Sequence, residues 1–153
     1  MKKTIIPILM SLLFTTLFAE EHVDRLGYSH QIGGSVLIAC EKEENLKCFG
    51  LPFVDIAASY GFTPQFNVNL EIDNLLIIGL LHLKGQYYWN ETPDSYFATV
   101  GVAMPYLVGD VVTEILLGSV GVGYAQNSME YGFEVIKNEN SSFIFKLSAK
   151  QRF

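Results

Sequence analysis

From residue 27 onward, polar and apolar residues alternate along most of the chain in runs of about ten residues. The clearest run is Gln65–Ile72, in which Asn67, Asn69 and Glu71 stand between apolar neighbours. A period of two residues predicts a β-strand with one apolar and one polar face. Helical periodicity is scarce, so the pattern predicts an all-β fold.

The alternating runs predict eight antiparallel strands joined in chain order, an up-and-down arrangement. The predicted strands are Tyr28–Ala39, Leu51–Phe62, Gln65–Ile72, Leu75–Trp89, Tyr96–Tyr106, Thr113–Ala125, Met129–Lys137 and a last strand that ends at Phe153. Turn residues separate them, among them Thr63-Pro64, Asp73-Asn74 and the loop 138–141. Strands of this length suit a β-barrel that crosses a membrane.

The segment from Leu75 to Leu81 is apolar on both sides and fits this pattern least well. One interpretation is a short buried helix. The other is a strand whose inner side caps the core of a barrel.

The last strand indicates which face of the strands we expect to line the interior of the barrel and which we expect to face lipid. Phe143, Phe145 and Leu147 lie in one phase, whereas Lys146 and Lys150 lie in the other. We expect the aromatic phase to face lipid and the charged phase to fill the interior, because the strand-end aromatics gather at one rim, as in membrane-interface girdles. The predicted interface aromatics are Tyr28, Phe62, Phe66, Tyr87, Trp89, Tyr96, Tyr124, Tyr131 and Phe153.

A loop centred on residues 139–141 would place Glu134 opposite Lys146 and Glu130 opposite Lys150, on the inward face. Glu71, His82 and Lys84 are in the inward phase of their strands as well. An eight-stranded barrel is just wide enough for side chains to fill it, so ion pairs would replace an apolar core and prevent conduction. The alternative is solvent-facing pairs on a soluble sheet, which contribute little to stability.

The amino terminus has the layout of a secretory signal peptide. Lys2 and Lys3 precede residues 4–19, which are uncharged and mostly apolar, and Glu20 ends the run. We predict a cleaved signal in residues 1–19 and one barrel domain in residues 20–153. An N-terminal membrane anchor is the alternative, although the run is shorter than the ~20 residues that a spanning helix needs.

The formal net charge of −6 becomes more negative when Lys2 and Lys3 are removed, which argues against nucleic acid as a partner. Cys40 and Cys48 form an even pair in an oxidising compartment, and we expect a disulfide that closes a polar loop. Two free thiols are the alternative. Metal binding is disfavoured there, because no histidine or further cysteine lies near, and no cofactor is predicted.

With its leader, its alternating strands, Gly121–Tyr124 and the terminal residues 150–153, the chain resembles the small eight-stranded outer-membrane barrels of the OmpA transmembrane domain and OmpX type. The resemblance implies a bacterial outer-membrane location, with outer-membrane lipid and lipopolysaccharide as surroundings. It also implies recognition by the barrel-assembly machinery through the strand that ends at Phe153. It sets no oligomeric state.

The function expected from these features is non-enzymatic, a role in envelope integrity or surface contact. One alternative is a lipid-modifying barrel enzyme of the lipid A deacylase or acyltransferase type, which needs a nucleophile and a base. His82 has no neighbouring serine in the sequence, and we interpret it as an interior hydrogen-bonding residue. Two others are an adhesin that uses the Cys40–Cys48 loop and a soluble periplasmic lipocalin-like lipid binder, whose apolar faces would point inward.

Overall fold

The computed structural model describes residues 25–42, 46–107, 110–111, 115–137 and 143–153. The predicted signal peptide, residues 1–19, and the loop 138–141 lie outside these residues. The strands are β1 (Gly27–Lys42), β2 (Leu46–Thr63), β3 (Phe66–Leu75), β4 (Ile78–Tyr88), β5 (Ser95–Leu107), β6 (Asp110–Val111), β7 (Leu117–Gln126), β8 (Met129–Lys137) and β9 (Phe143–Arg152). Among the described residues, no helix is long and apolar enough to cross a membrane.

The strands form one closed antiparallel barrel. Each long strand pairs with the long strands before and after it in the chain, and β9 pairs with β1 to close the sheet. The two-residue β6 pairs with Tyr106 and Leu107 at the end of β5, and β7 pairs with the rest of β5. Strands β6 and β7 therefore occupy one position in the wall, which has eight positions in all. The predicted all-β, up-and-down, eight-stranded architecture is confirmed.

The barrel has a stagger, or shear number, of ten residues, which is found by following the strand pairings once around the wall. This path starts on β1 at Ser29 and returns to β1 at Ala39, ten residues further along the strand. Between them it passes through Ser59, Asn69, Lys84, Gly101, Ser119, Ile136 and Ile144. With ordinary strand spacings, this stagger gives a strand tilt of about 41° and a radius of about 8 Å. The lumen is therefore narrow enough for side chains to meet across it.

The sidedness of the wall follows the predicted alternation. Ile56, Val100 and Val120 are more than half exposed on the outside, whereas Asp55 and Glu71 are fully buried inside. Water would disfavour so large a continuous apolar surface, so the outside suits a membrane. The arrangement is the inverse of the lipocalin-type alternative, which would have turned apolar residues such as Leu70 and Leu83 inward, whereas both lie on the outer face.

The register of the last hairpin is the predicted one, with Glu134 opposite Lys146 and Glu130 opposite Lys150. The first hairpin also has the expected register, with Cys40 opposite Cys48. These two cysteines form a disulfide. The hairpin β1–β2 is longer than predicted on both strands, because pairing continues past the disulfide to Lys42 and Leu46.

The predicted turn at Asp73-Asn74 is wrong. Strand β3 continues to Leu75, and the turn lies at Leu76 and Ile77 before β4 begins at Ile78. The segment from Leu75 to Leu81 is therefore the tip of a hairpin and not a helix. Asp73 remains in the inward phase and is fully buried, because the lysines inside the barrel attract its carboxylate.

A candidate functional site in the barrel lumen

The lumen is filled in three layers. The layer nearest the chain ends is aromatic and charged, the middle layer is charged, and the layer at the opposite end is apolar. The apolar layer corrects the expectation that ion pairs alone fill the barrel, and it is formed by Leu37, Phe53, Leu80, Ala103, Leu117 and Ile136, with Leu75 and Ile144 packed against it. The inward Leu80 agrees with the interpretation in which the segment 75–81 caps the core.

Glu71 is the centre of the middle layer. Its fully buried carboxylate accepts hydrogen bonds from Lys146 at 2.6 Å, Lys150 at 2.7 Å and Lys84 at 3.1 Å. Lys84 belongs to β4, and Lys146 and Lys150 belong to β9. Glu71 of β3 therefore links strands that are not neighbours in the barrel wall. The predicted interior residues Glu71 and Lys84 are therefore brought together with the predicted lysines.

Lys146 joins the second carboxylate group of this layer. Its ammonium lies 2.5 Å from Asp73 Oδ2 and 3.5 Å from Asp55 Oδ2, in addition to its contact with Glu71. Asp55, Glu71 and Asp73 are close enough together to resemble a metal-ligating cluster. The Lys146 ammonium already provides the cation between them, so the geometry indicates a structural ion-pair network.

The predicted cross-strand ion pairs have the expected register but different partners. The Glu134 carboxylate lies 2.6 Å from Lys84, and Glu130 lies 2.8 Å from Arg152, whereas Lys146 and Lys150 reach Glu71. The reason is geometric, since long inward side chains in a barrel of about 8 Å radius meet partners across the lumen as readily as along the wall.

His82 lies between two carboxylates in the middle layer. Its Nε2 atom is 2.8 Å from Asp73 Oδ2, and its Nδ1 atom is 3.7 Å from Glu134 Oε1. The ring is fully buried. These contacts give His82 the role of an interior hydrogen-bonding residue.

Glu130 is the centre of the layer near the chain ends. Its carboxylate accepts hydrogen bonds from Tyr88 at 2.5 Å, Arg152 at 2.8 Å, Gln86 at 3.2 Å and Gln31 at 3.3 Å. Arg152 also donates to the Tyr88 hydroxyl at 2.7 Å. Tyr88 and Arg152 were not among the predicted site residues, although each stands in the inward phase of its strand, which was the available signal.

Arg25 closes the mouth of the barrel at the end where Phe153 lies. Its guanidinium stacks 3.8 Å from the centre of the Tyr88 ring and donates to the carbonyl oxygens of Asn90, at 3.0 Å, and Pro93, at 2.5 Å. Only 7% of Arg25 is exposed. Burial lowers the pKa of this guanidinium, and the nearby Tyr88 and Glu130 partly offset that effect. The sequence showed no signal for this latch, because Arg25 precedes the first strand and belongs to no alternating run.

We expect Arg25→Ala to destabilise the folded barrel by about 1–3 kcal/mol, because two hydrogen bonds from a charged group and a stacked contact are lost. Urea unfolding of the protein in lipid vesicles would measure the loss. Arg25→Lys is the matched variant, since it keeps the charge but not the planar fork that reaches both carbonyls. Equal stability of the alanine variant and the unmodified protein would show that the latch is not needed.

A cavity of about 20 Å³ lies among Lys84, Gln86, Glu130, Glu134 and Lys150. This volume holds about one water molecule. This cavity is therefore too small to connect the two ends of the barrel.

The predicted interface aromatics lie on the outer face, around the end that carries Arg25 and Phe153. Tyr28, Trp89 and Tyr96 are more than half exposed, and Tyr96 packs against Tyr124 with ring centres 5.0 Å apart. Phe62 and Phe66 pack together, as do Tyr87 and Trp89, with Phe153 and Tyr131 completing the set. The opposite end of the outer face carries two further aromatic residues, Tyr106 and Phe143.

Three solved structures are similar to the whole barrel. The crystal structure of the N-terminal β-barrel domain of OprF from Pseudomonas aeruginosa matches with a TM-score of 0.52 and 10% identity, covering 84% of this chain and 98% of that chain. The chain has the fold of the small eight-stranded outer-membrane barrels. Crystallised OprG from Pseudomonas aeruginosa matches with a TM-score of 0.48 and 12% identity, covering 88% and 99% of the two chains.

The third is the solution NMR structure of the de novo designed TMB2.3, with a TM-score of 0.46, 16% identity and coverage of 83% and 96%. No protein-family model matches this chain, and no curated protein matches it significantly. The likeness is thus one of fold, which agrees with the closed topology and the apolar outer face of this small barrel.

Proposed function

We propose that this protein is a non-conducting barrel of the bacterial outer membrane with a structural role in the envelope or in surface contact. One observation supports the proposal above the others: the lumen is filled by fully buried, paired charges around Glu71. An apolar layer follows on one side and the Arg25 latch on the other. The protein would be exported by means of the signal peptide in residues 1–19 and would be surrounded by outer-membrane lipid and lipopolysaccharide.

The strand that ends at Phe153 supports a route to that membrane. Phe153 pairs with His30 through both of its backbone groups, with N···O distances of 2.8 and 3.1 Å, and its ring is 55% exposed on the outside. Strand β9 thus closes the barrel by pairing with β1. We propose that the barrel-assembly machinery recognises this strand through its terminal aromatic residue.

The long hairpin β1–β2 supports a role in surface contact. It extends past the described tip of the β3–β4 hairpin, and the Cys40–Cys48 disulfide holds its two strands together. A lipid-modifying enzyme finds less support, because His82 is sealed in the lumen between Asp73 and Glu134 and does not face lipid.

Two measurements test the proposal. Unheated protein should migrate differently from heated protein on a gel and should fractionate with outer membranes. Purified protein in planar lipid bilayers should give no stable conductance steps at neutral pH, because each ion would have to displace buried paired charges. A water-filled porin in the same bilayer is the control for sensitivity. Regular steps from this protein would contradict a closed lumen, and a water-soluble form without detergent would contradict the membrane location.

A further inference from the structure

The turn between β3 and β4 has an unusual composition for a hairpin. Its residues Leu75, Leu76, Ile77 and Ile78 are all apolar, and Leu76 and Ile77 are 85% and 61% exposed. Leu76 has a φ of 57°, a left-handed conformation that glycine or asparagine adopts far more readily. Neither hydrogen bonding nor backbone preference explains these side chains, so their surroundings outside the chain must favour them.

The position of the turn along the barrel axis indicates what those surroundings are. With a strand tilt of about 41°, each residue rises by about 2.5 Å along the axis. Leu76 therefore lies about 25 Å above Phe66 of the lower aromatic group, which equals the usual height of the apolar band of a membrane barrel. The tip of this hairpin is level with the upper edge of the band.

The neighbouring wall is apolar at the same level. Leu107 at the end of β5 is 47% exposed, Leu116 before β7 is 56% exposed, and Phe143 at the start of β9 is 42% exposed. The outward side chains below the turn, such as Ile72 and Leu70, continue the same surface downward. Leu76 and Ile77 thus continue this apolar band above Asn74, which is the exposed polar residue between Ile72 and Leu76 on the outer face of β3.

The first hairpin is different. Lys42 lies fifteen residues beyond Gly27 in β1, a rise of about 37 Å. Pairing in β1–β2 thus continues about 10 Å above the level of Leu76, into a segment that carries Glu41, Lys42 and Lys47. The membrane boundary that fits both hairpins passes between the two tips.

We propose that the β3–β4 turn is embedded in the membrane, where Leu76 and Ile77 contact the lipid acyl chains just below the headgroups of the outer leaflet. The proposal rests on the membrane location inferred above. It explains why the turn lacks the usual polar residues, since an apolar side chain that leaves water for acyl chains gains about 25 cal/mol for each Å² removed from water. The β1–β2 hairpin, in contrast, projects from the membrane.

Site-directed tryptophan fluorescence tests the proposal. Trp89 is the single tryptophan of the chain, so Trp89→Phe provides a silent background. In that background, L76W reports on the turn, L70W on the middle of the outer face, and E91W on an exposed turn at the opposite end. Each variant is refolded into phosphatidylcholine vesicles with brominated acyl chains, and quenching by the bromine atoms and by aqueous acrylamide is compared.

We expect L76W to show at least half of the bromolipid quenching of L70W and clearly less acrylamide quenching than E91W. Behaviour of L76W like that of E91W, with L70W strongly quenched by bromolipid, would overturn the embedded turn alone. If L70W also behaved like E91W, the membrane location itself would be wrong. A variant that failed to refold would be recognised by its unshifted mobility on an unheated gel, and I77W would then replace L76W.

Discussion

Glu71→Gln should destabilise the barrel by about 3–5 kcal/mol, because it removes the charge that three buried ammonium groups share. Lys84, Lys146 and Lys150 all lie within 3.1 Å of the Glu71 carboxylate, which is fully buried. Glutamine keeps the shape of the side chain and one acceptor oxygen, so the expected loss reflects charge and not a cavity. Urea titration of the protein refolded in lipid vesicles, followed by fluorescence of Trp89, would measure the change in the free energy of unfolding.

Glu91→Gln is the matched control for this experiment. The substitution is chemically identical, but Glu91 is exposed in the turn between β4 and β5, and its loss should change stability by less than about 0.5 kcal/mol. If the two glutamine variants unfolded at the same urea concentration, the middle layer would not depend on Glu71. The lysines would then find sufficient partners in Asp55, Asp73 and Glu134.

Val120→Arg should destabilise the folded protein by about 2–4 kcal/mol in a bilayer, because it places a charge near the middle of the lipid-facing surface. Val120 is 59% exposed on β7 and pairs with Val100, which is 65% exposed. On a water-soluble barrel with the same exposure, the substitution would cost less than about 0.5 kcal/mol. The same urea titration therefore separates lipid contact from water contact.

Leu116→Arg provides the depth control for Val120→Arg. Leu116 is similarly exposed, at 56%, but it lies before β7 at the edge of the apolar band. A basic residue at the membrane interface costs about 0–1 kcal/mol, since its long side chain reaches the headgroups. Equal effects of the two arginine variants would contradict a lipid-facing wall.

The alternation of residues was enough to predict the wall of this barrel. A one-residue slip would exchange the two faces of a strand, so Glu134 and Lys146 could face each other inside only in the register that the structure has. The expected disulfide, and not the alternation, was the reason to pair Cys40 with Cys48, and the two residues do lie opposite each other. The turn predicted from residue preference at Asp73-Asn74 was wrong, because Asp73 is held inside the barrel by Lys146 and the strand continues past it.

The contents of the lumen were only partly predictable. The inward phase of Glu71, His82 and Lys84 follows from the strand pattern, but their partners do not. Tyr88 and Arg152 could have been found from their inward phase, whereas Arg25 precedes every strand and had no such signal. Its contacts arise only when the turn that contains Asn90 and Pro93 folds beneath the barrel.

The order of residues along this chain therefore specifies the strands, their faces and their registers, since these depend on neighbouring residues within one strand or in the adjacent strand. The pairing of Lys146 with Asp73, of Glu130 with Arg152, and of Arg25 with two carbonyl groups depends on closure of the whole wall. A stagger of ten residues around eight strands sets the radius of the barrel wall at about 8 Å and thereby determines which side chains meet across the lumen. Such contacts join positions far apart in sequence, and local alternation carries no information about them.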